Sequence, residues 1–267
     1  MPTYETVLVA YSHNKRIATV TMNRPEIHNA MSSQLLLDLQ AALQELRTDA
    51  NLAGVVLTGA GKSFSAGADL TLMQAAANYT KEQNQQDAQK MAGAFEYINH
   101  FPIPIVARVN GAALGGGLGL MAVCDIVIAT DSARLAFSEV KLGIAPAMIS
   151  PYIVSKIGAS WARRLFVTGE RFTPALAREL GLIHTVVPLA ELDAAVESIV
   201  QELLSSAPQA MRVCKMLAQT VGQMEPTAAR DFTAETIARL RVGEEGQEGL
   251  KAFLEKRQPN WIPAKEE

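Results

Sequence analysis

The chain has 267 residues, 49% of them hydrophobic, a net charge of −3 and two cysteines. That length and apolar share allow one large domain, or a core with a smaller appendage. Acids and bases are interspersed with no basic stripe, which argues against a nucleic-acid partner. No uncharged apolar run reaches ~18 residues, so no membrane span is expected.

The opening, MPTYETVLVAYSHNKRIATVTMNRP, lacks a basic n-region, an apolar run and a small-residue cleavage site, so it does not read as a secretory signal. Thr6–Ala10 and Ile17–Met22 read as two strands around a polar turn at Ser12–Arg16. Asn23-Arg24-Pro25 breaks the second strand. Ser32 or Ser33 caps a helix to about Arg47, with Leu36, Leu39, Leu43 and Leu46 on one face. Gly54–Thr58 is a buried strand, followed by a loop and Phe64-Ser65-Ala66-Gly67-Ala68-Asp69-Leu70. Residues 73–92 read as a loosely packed helical segment, and a helix from about Asp87 to His100 stops at Pro102 and Pro104. Ile105–Val109 is a strand, Asn110–Gly119 a glycine-rich loop, Leu118–Val123 a short helix and Asp125–Ala129 a further strand. Arg134–Phe137 reads as a short strand, helices flank Gly158, Pro174–Leu180 is helical and Gly181–Val187 strand-like. Leu192–Ser205 is a helix, and everything from Pro208 is helical. Strands and helices that alternate and then give way to helices predict an α/β core, residues 1–200, with a C-terminal helical region, 201–267, that buries its apolar faces across a subunit boundary. Cys124 and Cys214 lie in apolar-rich stretches and are expected to be buried free thiols, as in a reducing, cytoplasmic compartment.

Two segments bear on chemistry. In Ala66-Gly67-Ala68 and in Asn110–Gly119, small residues follow a strand, so a ligand can approach the backbone closely. In the second, a helix begins, and its first N–H groups have no internal partner. Such amides are ready donors for a developing oxyanion. The same glycines also serve tight packing alone. Gly117-Leu118-Gly119-Leu120-Met121-Ala122 fits a dinucleotide fingerprint, but only ~8 residues, ~12 Å of helix, separate it from the next strand. That is short for a nucleotide-binding crossover. Glu139 follows the apolar Leu135-Ala136-Phe137, where a carboxylate against apolar walls has a raised pKa and suits proton transfer. From the residues alone, a surface glutamate at a strand end is the simpler reading. The four histidines show no metal-ligand spacing, and Ser63 and Ser65 lack a G-x-S-x-G elbow.

Taken in order, Asn23-Arg24-Pro25-Glu26 with Asn29-Ala30-Met31, the Phe64–Leu70 run, Asn110-Gly111 through Gly115-Gly116-Gly117 to Cys124-Asp125, Glu139 with Leu142-Gly143-Ile144, and Phe253-Leu254-Glu255-Lys256-Arg257 resemble the motifs of the crotonase, or enoyl-CoA hydratase/isomerase, superfamily. The resemblance spans essentially the full chain. It implies a spiral of ββα-type turns and a C-terminal helical region used in a homotrimer or a dimer of trimers. It implies that Ala68 and Gly116 donate oxyanion-hole N–H groups to an acyl-coenzyme A thioester. No cofactor is implied beyond the coenzyme A that the substrate carries. The Ala66–Leu70 stretch, with Asp69 and Leu70, would meet coenzyme A through its backbone. Arg24 would line the coenzyme A site, and Phe253 and Lys256 would reach a neighbouring subunit's coenzyme A. Arg24 also reads as the partner of an acid, Lys256 as a solvated helix charge, and Asp69 and Asp125 as capping and packing groups.

One position departs from the pattern. Hydratases of this superfamily usually carry two glutamates; the second matches Glu139, and the first falls on Gly119. Three expectations follow: hydration of a 2-enoyl-CoA by Glu139 alone, double-bond isomerisation by Glu139, or binding of acyl-CoA esters with another reaction or none, as in an acyl-CoA-binding or assembly protein. The SEVKLGIAPAMISPY segment resembles a methylglutaconyl-CoA and carboxygeranoyl-CoA hydratase-like branch, which would favour hydration of a branched or carboxylated acyl group.

Overall fold

A computed structural model describes residues 4–262. It opens on a hairpin of β1 (Val7–Ser12) and β2 (Ile17–Met22), paired antiparallel from Val7↔Met22 to Ser12↔Ile17. Helix α1 (Ser33–Arg47) follows, its N-terminus capped by Ser32, whose hydroxyl oxygen accepts from the Leu35 N–H. Its leucine face, Leu35, Leu36, Leu39, Leu43 and Leu46, is buried.

Three successive strand pairs then build the core. The first strand of each, β3 (Gly54–Gly59), β5 (Ile105–Val109) and β7 (Ile126–Thr130), joins a large sheet. The second strand, β4 (Ser63–Ser65), β6 (Ala112–Leu114) and β8 (Leu135–Ala136), joins a small one. Helices close each turn: α2 (Leu70–Asn78) and α3 (Lys81–Asn99), then α4 (Gly116–Ala122), then α5 (Ser150–Thr168), which is broken at Gly158. Two further strands, β9 (Arg171–Phe172) and β10 (Thr185–Val187), flank α6 (Pro174–Glu179). The large sheet runs β1-β2-β3-β5-β7-β10 and the small sheet β4-β6-β8-β9. From β2 onward the large sheet is parallel. Strand β3 is buried along its whole length, as a parallel strand covered on both faces must be. This alternation between two sheets is the expected spiral of ββα turns.

Four α-helices follow among the described residues: α7 (Leu192–Ser205), α8 (Pro208–Thr220), α9 (Pro226–Val242) and α10 (Glu244–Leu254). Helix α7 packs Leu192, Val196 and Val200 beneath the large sheet with Val56, Val106 and Ile128. The last three helices bury little: no residue of α8, Thr236 alone in α9 and Ala252 alone in α10. Phe253 is 81% and Leu254 79% exposed. Among the described residues no helix is long and apolar enough to cross a membrane.

Several expectations need correction. The polar stretch 73–92 is divided between two defined helices, because Thr80 and Gln83 form a reciprocal capping box that starts α3 at Lys81. Strand β6 lies inside the segment read as a glycine-rich loop, and β4 just after the loop that follows β3; at three residues each they are too short to show a period. Cys214 is exposed on α8, and only Cys124 is a buried thiol. Burial pushes that thiol up to about 12, so it is inert.

Candidate active site

Strands β4 and β6 pair in parallel, Ser63 beside Ala112 and Ser65 beside Ala113. The chain therefore leaves the small sheet twice at neighbouring points, through Ala66–Ala68 and through Gly115–Gly116. Gly67 has φ +89°, and a Cβ there would press to 2.7 Å from the Leu114 carbonyl oxygen and lie 3.7 Å from the Gly116 nitrogen. The backbone of Met31 runs along the first segment: its N–H donates to the Gly67 oxygen at 2.7 Å, and the Asp69 N–H donates to the Met31 oxygen at 2.9 Å. Between these bonds the Ala68 N–H is left over. Among the described residues neither it nor the Gly116 N–H donates to a backbone acceptor. Two unspent donors on adjacent loops are what a developing oxyanion needs.

A polar brace holds the first loop. The Arg24 guanidinium pairs with Asp69 at 2.7 Å and donates to the Ala30 oxygen at 2.8 Å. The other Asp69 oxygen accepts from the Thr71 N–H and caps α2. Burial alone would raise the Asp69 carboxyl, but the Thr71 and Arg24 bonds outweigh it and hold the group below the usual carboxylate range. The fully buried Asn29 amide donates to the Ala60 and Ser63 oxygens, and the Ser65 hydroxyl donates to the Asn29 oxygen. Of the two readings of Arg24, its pairing with an acid is present; Asp69 is a cap and a partner.

Glu139 arrives from the third turn. Strand β8 pairs with β6, and the Gly115 N–H donates to the Ala136 oxygen at 2.9 Å. The chain then enters a 3-10 turn, Ser138–Leu142, that carries Glu139 back over Gly115. A Cβ at residue 115 would stand 2.9 Å from Glu139 Oε1, so the carboxylate lies against this glycine. Gly115 itself has φ +49° and ψ −121°, a conformation closed to other residues. Glu139 Oε2 is sealed from solvent with no hydrogen-bond partner. Burial pushes the carboxyl above its ordinary value, opposed by its own backbone N–H.

These groups surround a cavity of about 120 Å³. One wall is Ala66, Gly67, Ala68, Gly115, Gly116 and Glu139; the other is apolar, with Met31, Met73, Met91, Phe95, Met148 and Ile149. Gly119 lies behind this second wall. A Cβ on it would overlap Ile149 Cγ2 and stand 2.9 Å from Ile149 Cβ and 3.1 Å from Phe95 Cε1. The space a side chain at 119 would need is already full. A larger groove of about 1160 Å³ separates α8 from the core, but Glu139 is not in its lining. Its acid and lysines are already engaged: Lys215 pairs with Asp125 at 2.7 Å, and Lys156 donates to the Cys124 oxygen.

The structure thus brings Glu139, Ala68, Gly116 and Ala66 together, with Arg24 and Asp69 adjoining the loop as its brace. Leu70 is 73% exposed at the start of α2. Phe253 and Lys256 lie at the end of α10, outside the cavity lining. Sequence reasoning missed Gly115, Phe95 and Ile149. Gly115 stood in the quoted glycine run, while nothing local marks Phe95 or Ile149, which meet from α3 and the segment before α5.

The structure thus sets a strand-paired double turn of small residues against a buried carboxylate. The sequence matches the enoyl-CoA hydratase/isomerase family over residues 12–263, and the chain belongs to that family. It is 33% identical over 248 residues to the short-chain-enoyl-CoA hydratase of Clostridium acetobutylicum, covering 91% of this chain and 92% of that one. It is 31% identical over 261 residues to the crotonyl-CoA hydratase of Syntrophomonas wolfei, covering 97% and 98%. The crystal structure of an enoyl-CoA hydratase from Shewanella pealeana superposes with a TM-score of 0.92 at 39% identity, covering 97% and 96%.

Proposed function

We propose that the protein hydrates a 2-enoyl-CoA through a backbone oxyanion hole and a single glutamate. The observation that carries this reading is the Glu139 carboxylate, its Oε2 buried without a partner, lying against Gly115 beside the unspent Gly116 and Ala68 amides. The thioester oxygen accepts from both N–H groups. Glu139, as carboxylate, takes a proton from water while the water oxygen bonds to C3 of the acyl chain. Charge moves to the thioester oxygen, where the amides hold it. Glu139, now protonated, returns that proton to C2. A carboxyl pushed up by burial is suited to both halves, because its ionised form is a stronger base than an ordinary carboxylate and its protonated form can return the proton.

Coenzyme A is carried in by the substrate, and no separate cofactor enters the scheme. The backbone of Ala66–Leu70 meets its adenine and pantetheine, and Arg24 lines that site from behind Asp69. Phe253 and Lys256 serve a neighbouring subunit in a homotrimer or a dimer of trimers, which the exposure of Phe253 and Leu254 supports.

A second reading rests on Gly119. With Ile149 and Phe95 occupying the space beside it, no second side chain holds water there. A Glu139 that removes a C2 proton from a 3-enoyl-CoA and returns it to C4 would be an isomerase on the same scaffold. Crotonyl-CoA and 3-hexenoyl-CoA, followed by conjugated-enoyl absorbance, separate the two. Loss of absorbance with 3-hydroxybutyryl-CoA formed is the expected result. Absorbance appearing from 3-hexenoyl-CoA, with crotonyl-CoA untouched, overturns hydration in favour of isomerisation.

A further inference from the structure

We propose that Phe95 and Ile149 determine acyl specificity: by filling the space beside Gly119 they confine the site to a short apolar acyl group and reject one bearing a distal carboxylate. The inference deepens the acyl-CoA reading above and rests on it for where the acyl group lies.

Size comes first. The cavity holds about 120 Å³. An apolar protein cavity of about 150 Å³ accommodates benzene, so this one takes about four or five carbon atoms. The carbons that react must lie between the two amides and Glu139, which leaves room for one or two beyond them. The far wall is tightly packed: Phe95 is fully buried and Ile149 is 2% exposed. Tyr152 packs against Phe95 at a tilt, ring centroids 6.5 Å apart. The opposite end is the mouth, where Leu142 and Ile144, both lining residues, are each 58% exposed.

Chemistry comes second. No lysine, arginine or histidine lines the cavity among the described residues. The charged group in its lining is Glu139, whose burial already disfavours its own ionisation. A second carboxylate entering at the tail of a substrate would face that like charge and an apolar wall, without a cation to offset either. This runs against the carboxylated substrates of the branch that SEVKLGIAPAMISPY resembles. The residues that fill the site are, at positions 95 and 149, the ones that remove its polarity.

Binding of saturated acyl-CoA esters by calorimetry tests this without requiring turnover. Butyryl-CoA is expected to bind tightest, glutaryl-CoA about 100-fold more weakly for want of a cation, and decanoyl-CoA weaker than butyryl-CoA for want of room. In Ile149→Ala the decanoyl-to-butyryl affinity ratio is expected to rise about 10-fold, with glutaryl-CoA still weak. Phe95→Leu is the second variant should the first unfold, and the parent's own binding order needs no variant. Glutaryl-CoA binding within 3-fold of butyryl-CoA, or a decanoyl ratio unmoved by a folded variant, overturns the proposal. The two readings fail separately. An intact binding order without turnover of crotonyl-CoA supports the specificity and removes the hydratase, whereas turnover with the reversed order removes the specificity alone.

Discussion

Gly119→Glu restores the carboxylate that the family pattern places at residue 119, and the structure predicts that it fails. Gly119→Glu drives a Cβ into Ile149 Cγ2 and to 3.1 Å from Phe95 Cε1, and both neighbours are buried. Overpacking of this kind costs about 1–3 kcal/mol. Placing a carboxylate against Phe95 and Ile149 without a donor adds about 1–3 kcal/mol more. The sum, about 4 kcal/mol, corresponds to a fall of about 8–16 °C in Tm at about 2–4 °C per kcal/mol for a chain of this size. Thermal unfolding by circular dichroism measures it, and crotonyl-CoA hydration in the same preparation is expected to drop at least about 10-fold as Ile149 is pushed into the acyl pocket. Adding Ile149→Ala makes room, so the double variant is expected to regain about half of the lost stability. A Gly119→Glu protein as stable as its parent and faster at hydration would refute the argument that Phe95 and Ile149 have taken over that space.

Glu139→Gln is expected to lower turnover about 1,000-fold, the share of a positioned acid–base group. It should do so without lowering Tm at pH 8. The Glu139 carboxyl is raised in the folded state, so between its unfolded and folded values the native protein holds the extra proton and stability falls as pH rises. That loss is complete above the folded value and absent below the unfolded one, so the Tm advantage of Glu139→Gln should vanish near pH 4, as unfolding scans across pH will show. The acid limb of kcat/KM for crotonyl-CoA should accordingly have its midpoint above the ordinary glutamate value of about 4.3; a midpoint at or below it would mean that Glu139 is solvated during reaction. Ala68→Pro removes one oxyanion donor and is expected to cost about 100–1,000-fold in kcat with the far-ultraviolet spectrum unchanged. Arg24→Ala strands the Asp69 carboxylate and is expected to lower stability by about 3 kcal/mol in urea unfolding, with Arg24→Lys recovering less than half, because the shorter lysine does not bring its ammonium to where Nη1 meets both Asp69 and the Ala30 oxygen.

What the sequence disclosed follows from how locally each feature is encoded. The Ser32 cap, the leucine stripe of α1 and the apolar run of β3 depend on neighbours in the chain, and their bounds were readable to within a residue or two. The spiral was readable only as a resemblance. Its repeat rests on β4, β6 and β8, strands of two or three residues whose pairing is decided by the sheet they join. Glu139 and the two small-residue loops stood out because they combine type and position. That Arg24 is committed to Asp69 was one of two readings, and only the fold, by bringing residue 24 to residue 69, decides which bond forms. Phe95 and Ile149 carry no mark at all: an aromatic on a helix and an isoleucine before another are ordinary core residues until both are found against Gly119.

That contact also joins two features that look separate along the chain. Gly119 removes one carboxylate from the family pattern, and Glu139 carries a carboxyl raised by burial. A single carboxylate asked to act first as base and then as acid works best when its protonated and ionised states are nearly balanced. Burial in an apolar surround moves a carboxyl toward that balance by desolvation, with no second charge beside it. Phe95 and Ile149 supply that surround from the space beside Gly119, and both line the cavity that Glu139 faces. The same two side chains thus close the space beside Gly119 and belong to the apolar lining that Glu139 faces. On this view Ile149→Ala, which admits water behind the acyl group, should shift the acid limb of kcat/KM downward toward the ordinary carboxylate range, and an unshifted limb in that variant would separate the two features again.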